Sequence, residues 1–346
     1  MTGEDVRALA RECGFELAGV ARAEPLTDAA RYREGVAAGR AGEMRYLTDR
    51  RAAVREDPRN LLASARSVVC VGKLYQTPWP HSAQFDYEER GWISRYAWGD
   101  DYHDVMRRGL ERLAARIAER ATGGEQAFEY KICVDTAPLL ERSYARLAGL
   151  GWIGKNTCLI NQQSGSWFFL GELLVSLAIA PDSPPPDRCG TCSRCIDACP
   201  TAAIVPSGAG FTLDSRLCIS YFTIEQRGTV PEEIRNGIGA HVFGCDICQD
   251  VCPWNRRAPV TGDAAFAPRH FAPRLQEMAE LTESEFRAMF HGSPVTRARY
   301  LGFLRNVAIA MGNRGLPQFR GVLRKLAESD DEVVAESAQW ALEKCE

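Results

Sequence analysis

The sequence has 346 residues, enough for two or three domains with sizeable cores. Hydrophobic residues make up 45% and charged residues 25%, as in ordinary soluble globular proteins, and the net charge of −3 excludes a generally basic chain, so a nucleic-acid partner would need a local basic patch. No apolar run has the length of a transmembrane helix and the N-terminal stretch lacks a secretory-signal pattern, so we expect a cytoplasmic protein with no membrane partner.

Residues 1–180 alternate between helical and strand patterns. The patterns predict a helix over DVRALARECG, a buried strand over SVVCVGKLY (67–75) and a long amphipathic helix over 100–120. A second strand follows over FEYKICV (128–134), then a helix with Pro138 in its first turn, and then a third strand region over WFFLGELLVSLAI. This alternation predicts an α/β domain.

The best domain boundary is PDSPPPDR (181–188), which has four prolines in eight residues. A cysteine-rich segment follows, and the remainder is helical in pattern. LGFLRNVAIAMGN (301–313) places Leu301 and Leu304 on one face, and DEVVAESAQWALEKC predicts a similar helix about thirty residues later, a weak signal of stacked helix pairs. The predicted domains are residues 1–180, 181–260 and 261–346.

Two cysteine runs are the most specific feature of the sequence. CGTCSRCIDACP (189–200) matches C-x2-C-x2-C-x3-C-P, the run of two-cluster ferredoxins in which the fourth cysteine binds the other cluster. GCDICQDVCP (244–253) supplies C-x2-C-x3-C-P, and Cys218 is the candidate for the missing ligand. The crossed pattern assigns the eight thiolates to two [4Fe–4S] clusters: Cys189, Cys192, Cys195 and Cys252 to cluster 1, and Cys199, Cys218, Cys245 and Cys248 to cluster 2.

Zinc is the alternative ion, because C-x2-C pairs also build four-cysteine knuckles. Zinc gives no reason for three cysteines at successive two-residue gaps or for a proline after each run, so iron–sulfur clusters are favoured. The remaining cysteines are isolated, and we predict small buried side chains or free thiols rather than ligands: Cys13, Cys70, Cys133, Cys158 and Cys345.

The segment GLGWIGKNT (149–157) contains both G-x-G-x-x-G and G-x4-G-K. Each nucleotide-binding motif must follow a strand and open a helix, whereas this segment follows a predicted helix, and Asn156 stands where a P-loop needs Ser or Thr. Nucleotide binding is therefore disfavoured. A polar loop that holds a phosphate or an amide-bearing cofactor and a plain helix-ending turn both remain open.

Three further residues are candidates in the first domain. Asp135 follows the predicted strand 128–134, where ligands gather in α/β sheets, and would be a proton donor if burial raised its pKa; a helix N-cap is the alternative. Asp101 and His103 match part of the D-x-H-x-x-G pattern of enzymes that bind cobalt through histidine, but Met106 replaces the glycine. A surface or capping histidine is the alternative for His103.

Residues 291–325 hold seven Arg or Lys and no Asp or Glu. A positive face on stacked helices suits a phosphate backbone, and a solvated face that only keeps the domain soluble is the alternative.

Taken together, these segments resemble the epoxyqueuosine reductases over nearly the whole chain. The resemblance is carried by RYAWGDDYHDV (95–105), VDTAPLLERSYARLAGLGWIGKNTCLI (134–160), LCISYFTIEQRG (217–228) and the two cysteine runs. It implies a cobalamin-binding α/β domain, a ferredoxin-like domain with two [4Fe–4S] clusters and an all-α HEAT-like domain. It also implies the reaction: reduction of epoxyqueuosine to queuosine at the wobble position of tRNA, the last step of queuosine biosynthesis, with an external low-potential electron donor.

The resemblance further implies roles for individual residues. Asp135 matches the family's proposed proton donor. The implied cobalamin contacts are Arg59, Asp101, His103, Gly154, Lys155, Asn156, Thr157, Ser220 and Tyr221. The implied tRNA contacts are Arg297, Arg299, Arg305 and Asn306. The altered D-x-H-x-x-G fits a family that binds cobalamin with its base detached.

The mechanism expected from these parts is stepwise reduction of cobalt through the clusters, followed by attack on or electron donation to the epoxide, with Asp135 as the acid. The wobble nucleotide would be splayed out of the anticodon loop. Two alternatives remain: a reductive dehalogenase, although Arg50 and Arg51 are too internal for a twin-arginine export signal, and a non-catalytic ferredoxin-type electron-transfer protein.

Overall fold

The computed structural model describes residues 1–84, 87–121, 127–208 and 210–345. Its strands are β1 (Leu17–Arg22), β2 (Ser67–Leu74), β3 (Trp92–Ile93), β4 (Tyr130–Cys133), β5 (Trp152–Ile153), β6 (Leu159–Ile160), β7 (Phe168–Val175), β8 (Ile204–Ser207), β9 (Gly210–Leu213) and β10 (His241–Phe243). Its α-helices are α1 (Gly3–Glu12), α2 (Ala29–Ala37), α3 (Arg51–Val54), α4 (Tyr102–Arg120), α5 (Glu141–Leu147), α6 (Arg194–Asp197), α7 (Ile219–Ile224), α8 (Glu232–Ile238), α9 (Ile247–Asp250), α10 (Leu275–Ala279), α11 (Glu283–Met289), α12 (Tyr300–Arg314), α13 (Arg320–Ala327) and α14 (Glu332–Lys344).

A four-stranded sheet in the order β1-β2-β7-β4 organises the N-terminal part of the chain. Helices α1 and α4 cover one face, where Leu9 and Leu110 pack with Leu173. Helix α5 covers the other face, where Tyr144 packs with Leu174. Because successive strand residues point to opposite faces, β7 supplies both layers and is buried along nearly its whole length.

The mixed helix and strand content agrees with the predicted α/β class, but every pair in this sheet is antiparallel. The rule that ligands gather at the carboxyl ends of parallel strands therefore does not apply to Asp135, although this residue does follow β4. Two details of the helix prediction are wrong. Pro138 precedes α5 by three residues, and Leu301 lies on the exposed side of α12.

The segment GLGWIGKNT forms β5 and the turn that returns the chain as β6, so it opens no helix. This conformation agrees with the prediction that neither nucleotide-binding motif is functional here. Gly149 adopts a φ of +82° just after α5, which a side chain would strain.

A second large core joins segments that the sequence divides among three domains. Trp92 and Trp98 pack in it together with Phe243 and with Phe303 of α12, and β3 pairs with β10. The predicted boundaries at residues 180 and 260 therefore do not coincide with the limits of the hydrophobic cores. Within residues 256–345 every assigned element is a helix, and α12 lies so close to α14 that a Cβ on Gly312 would come within 2.8 Å of the Ala341 Cα.

Candidate redox and proton-transfer site

The two cysteine runs meet at one cavity of about 390 Å³. Cys189, Cys192 and Cys195 enter it from the first run, and Cys252 enters it from the second. This is the grouping expected for cluster 1, with the last cysteine of one run crossing to the other. The crossing is possible because α6 and α9, the short helices of the two runs, lie against each other.

The four cysteines expected for cluster 2 are partly buried and do not line this cavity. Burial raises the pKa of the Cys218 thiol, and charge on the neighbouring Cys199 raises it further. Burial also raises the pKa of Cys245, which lies beside both of these thiols. Cys158, predicted to be isolated, contacts Cys248, whereas Cys13, Cys70, Cys133 and Cys345 are buried as expected.

The cysteine side chains of each group are not drawn together around one point. Among the residues that the structure describes, no three His, Cys, Asp or Glu side chains converge closely enough to hold a single metal ion. A four-iron cube instead takes its four thiolates from corners that are farther apart. Its sulfur atoms also accept hydrogen bonds, and the Ala203 amide already donates to the Cys199 Sγ at 3.3 Å.

The loop after β5 holds the cysteine runs through its polar side chains. The Lys155 Nζ donates to the carbonyls of Gly190 at 2.8 Å and Cys192 at 2.9 Å, and the Asn156 Nδ2 donates to the Cys248 carbonyl at 3.2 Å. The cobalamin contact expected of Lys155 and Asn156 is therefore not the interaction that these side chains make. Their hydrogen bonds fix the backbone of both cluster loops.

A second cavity of about 660 Å³, here called the histidine cavity, brings together Asp101, His103 and Asp135. The His103 Nδ1 lies 2.7 Å from the Asp101 Oδ1, and its Nε2 lies 3.2 Å from the Asp135 Oδ2. Asp101 also caps α4 by accepting a hydrogen bond from the His103 amide at 3.0 Å. Both nitrogens of His103 are thereby occupied, so its side chain is oriented toward Asp135.

The protonation states of His103 and Asp135 are set by neighbouring charges. Burial alone would lower the pKa of His103, but the two flanking carboxylates raise it to about 9. Burial alone would raise the pKa of Asp135, but His103 and Arg297 bring it below its ordinary value. The condition set for Asp135 as a proton donor, a pKa raised by burial, is therefore not met by the net shift, and at neutral pH the proton resides on His103.

Arg297 reaches into the same cavity instead of lying on an open basic face. Its Nε lies 2.7 Å from Glu225 Oε1 and its Nη1 lies 3.8 Å from Asp135 Oδ2, while its guanidinium stands over the Tyr46 ring. Burial, together with the Glu225 charge, raises the pKa of Tyr46 to about 12. Tyr46 and Glu225 were not predicted as site residues, although Glu225 lies within the segment LCISYFTIEQRG.

A third cavity of about 550 Å³, here called the Tyr221 cavity, adjoins the histidine cavity. Thr157, Ser220 and Tyr221 line it together with Cys218. Tyr46, Arg55 and Asp135 line both cavities, so Asp135 stands where the two meet. The backbone is strained here, because the non-glycine residues Asp135 and Thr157 have φ angles of +48° and +63°.

Several predicted contacts lie elsewhere. Arg305 and Asn306 are each 1% exposed, and their side chains bond to one another and to backbone carbonyls of residues 222–242. They hold α12 against the segment around α7 and are not accessible to a polyanion, so direct tRNA contact is contradicted for both. Arg59 pairs with Asp57 outside both cavities, while Arg299 is exposed.

A side chain at position 154 would crowd two neighbouring side chains. A Cβ there would come within 2.5 Å of the Ile160 side chain and 2.8 Å of the Asn156 amide oxygen. Gly154 therefore permits the tight β5–β6 turn that holds Asn156 against the cluster loop.

Within the described ranges, none of the helices is long and apolar enough to cross a membrane.

Comparison with known proteins gives a consistent family for this site. Residues 55–136 match the family model described as epoxyqueuosine reductase QueG, DUF1730, and residues 188–255 match a 4Fe-4S double cluster binding domain. An epoxyqueuosine reductase of Xanthomonas campestris is 41% identical over 342 residues, which cover 97% of this chain and 94% of that protein.

Two solved structures have the same fold over almost the whole chain. The epoxyqueuosine reductase of Streptococcus thermophilus is 31% identical, with a TM-score of 0.86 over 99% of this chain and 90% of its own. A crystal structure of epoxyqueuosine reductase with a tRNA-Tyr epoxyqueuosine-modified stem loop is 26% identical, with a TM-score of 0.79 over 99% and 98%.

The histidine pairing predicts a pH-dependent stability. The pKa of His103 is about 9 in the folded protein, against an ordinary value of 6.5. The charged histidine therefore contributes stability that is fully present below pH 6.5 and is lost as the pH rises through about 9. Relative to His103→Gln, wild-type protein should lose about 1–3 kcal/mol of unfolding free energy across this interval, measured by urea denaturation. Parallel pH profiles for the two proteins would contradict the charged pairing.

Proposed function

Because this chain belongs to the epoxyqueuosine reductase family, we propose that it reduces epoxyqueuosine to queuosine at the wobble position of tRNA. The observation that carries the proposal is the sharing of one cavity by Cys218 and Asp135. Cys218 is a ligand candidate for a low-potential cluster, and Asp135 is one hydrogen bond from a protonated histidine. Electrons and protons can therefore reach the same space, as removal of an epoxide oxygen requires.

The eight cysteines would hold the clusters in the crossed arrangement. Cluster 1 would lie in the cavity of Cys189 and Cys252, and cluster 2 would lie beside the Tyr221 cavity, which Cys218 lines. Single electrons would enter at the first cluster and leave at the second. The match of residues 188–255 to a double-cluster domain supports this assignment.

The Tyr221 cavity is the proposed cobalamin site. Thr157, Ser220, Tyr221 and the backbone of the β8–β9 hairpin offer hydrogen-bonding groups for the amides of the corrin ring. No histidine lines this cavity in the described part of the chain, and both nitrogens of His103 are engaged with carboxylates. The residues present therefore fit a cobalamin whose cobalt has no histidine ligand. When bound and reduced, cobalamin would supply two electrons to the epoxide.

The residues of the histidine cavity would deliver one of the two protons that loss of the oxygen as water consumes, and solvent would supply the other. Asp135 would pass a proton from His103 to the departing oxygen, and Asp101 would stabilise the histidine as it loses and regains charge. Arg297 lies close enough to Asp135 to hold its carboxylate at the junction of the two cavities. The role expected of Asp135 is thus kept, with His103 as the source of its proton.

The tRNA would approach the mouth of the histidine cavity. Arg299 is exposed beside Arg297, and Arg324 and Lys325 are exposed on α13. These cations would contact phosphates while the wobble nucleotide is splayed into the cavity. We retain the HEAT-like arrangement of α12–α14 and the three-domain division as proposals, and action on tRNA would place the protein in the cytoplasm.

The external electron donor would dock over cluster 1. Lys155, Arg188 and Arg194 line its cavity, and none of the described acidic residues does so, although the chain as a whole has a net charge of −3. Arg256 and Arg257 are exposed just beyond Trp254 of the same cavity. A cationic rim suits an acidic single-electron carrier of the ferredoxin or flavodoxin class.

The function is tested by anaerobic incubation of the reconstituted protein with epoxyqueuosine tRNA, cobalamin and a low-potential reductant, followed by mass analysis of nucleosides. Wild-type protein should yield queuosine. Asp135→Asn should keep eight cluster thiolates and cobalamin binding but lower kcat by about two to four orders of magnitude, because it cannot accept the His103 proton. Persistence of epoxyqueuosine with the wild type would contradict the function, and near wild-type turnover by the variant would remove Asp135 from the mechanism.

The docking face is tested by the double variant Arg188→Glu/Arg194→Glu. The KM for a reduced acidic carrier protein should rise about tenfold, because charge complementarity is lost, whereas turnover driven by dithionite should not change. The matched control is Arg107→Glu/Arg108→Glu, which makes the same charge change at exposed positions on α4. Equal effects of the two double variants on the carrier KM would contradict a specific face.

A further inference from the structure

Glu172 is a buried carboxyl group that the mechanism above does not use. It lies in the middle of β7 on the face covered by α5, with 0% of its surface exposed. Its register partners on the two neighbouring strands are Cys70 and Cys133. Burial raises the pKa of each thiol, so both are neutral and neither offers a compensating charge.

Glu141, the first residue of α5, makes contact with Glu172 from the cavity side. Ionised carboxylates can only accept hydrogen bonds, so two of them cannot bond to each other. With both ionised, neither Glu172 oxygen has a donor among the described residues. The contact becomes a hydrogen bond when one of the two carboxyl groups holds a proton.

The charge balance places that proton on Glu172. Burial raises the Glu172 pKa well above its usual range, and Glu141 beside it raises it further. Burial and the Asp135 charge raise the pKa of Glu141 to about 7, while Arg142 acts in the opposite direction. Glu172 is the more deeply buried of the two, so it is the one that remains neutral.

Glu141 in turn holds the residue that transfers the proton. Its Oε1 accepts a hydrogen bond from the Asp135 backbone amide at 2.6 Å. Asp135 has a φ of +48°, a conformation that non-glycine residues adopt only when their surroundings enforce it. Its carboxylate is held by His103 and Arg297, but its side chain is 45% exposed, so the hydrogen bond to Glu141 is what fixes its backbone.

We propose that Glu141 and Glu172 form a carboxyl pair that shares one proton and thereby positions Asp135 at the junction of the two cavities. Both are positioning residues, since they act on the reaction through the Asp135 backbone. The protonated Glu172 donates to Glu141, which orients the Glu141 carboxylate toward the Asp135 amide. The inference deepens the reduction proposed above and rests on it for its functional consequence.

The decisive variants are Glu172→Met, which removes the proton while keeping the side-chain length, and Glu172→Gln, which restores a donor to Glu141. Hydrogen exchange at the Asp135 amide should accelerate by about tenfold or more in Glu172→Met and return near the wild-type rate in Glu172→Gln. Cys70→Ala is the packing control, because it loosens the same layer beside Glu172 but keeps both carboxyl groups, and its Asp135 exchange should match wild type.

Turnover and spectroscopy complete the test. Glu172→Met should lower kcat about tenfold or more with little change in the KM for tRNA, and Glu172→Gln should recover most of kcat. Wild-type protein should show an infrared band of a protonated carboxyl at neutral pH that Glu172→Gln removes. Absence of that band, or unchanged Asp135 exchange in Glu172→Met, would overturn the proposal.

These outcomes are separable from a failure of the proposed function. The infrared band and the amide exchange need no substrate, so they judge the carboxyl pair even if wild-type protein leaves epoxyqueuosine unchanged. If Glu172→Met does not fold, Glu141→Leu removes the acceptor at the cavity wall instead, and unchanged Asp135 exchange in that variant would equally overturn the proposal.

Discussion

The structure depends on the crossing of the two cysteine runs. In the proposed ligand assignment, each run is too short to surround two clusters, and its last cysteine binds the cluster of the other run. This exchange requires residues 189–199 and 245–252 to pack together, and Lys155 and Asn156 fix that packing through backbone carbonyls of both. The position of Cys218 next to the Tyr221 cavity follows from the same arrangement.

The side chains proposed to transfer the proton reach this region from the opposite side. The N-terminus of α4 presents Asp101 and His103, and the loop after β4 presents Asp135, so a helix and a strand bring the three side chains into one line. Two carboxylates on one imidazole keep the histidine charged and the aspartate ionised. The proton is thus held on His103, one hydrogen bond away from Asp135, which would deliver it.

The sequence predicted best those features that depend on the spacing of nearby residues. The gaps between cysteines predicted the grouping of Cys252 with the first run, because thiolate ligation leaves few other solutions. It was least successful for long polar side chains, whose direction depends on packing. Lys155 reaches the cluster loops, and Arg305 fills a buried space between α12 and α7. The sequence around each of them is equally compatible with an exposed cation.

The antiparallel sheet was missed because the sequence of a strand does not show its direction relative to its neighbours. Glu172 did have a sequence signal, because it is a charged residue within an otherwise apolar strand.

Iron content of protein reconstituted without oxygen tests the central claim most directly. Two [4Fe–4S] clusters held by eight thiolates predict about eight irons per chain for the wild type. The variant Cys252→Ser/Cys189→Ser loses two ligands of cluster 1 only, so about four irons are expected for it. Zinc in place of iron, or about four irons in the wild type, would contradict the account.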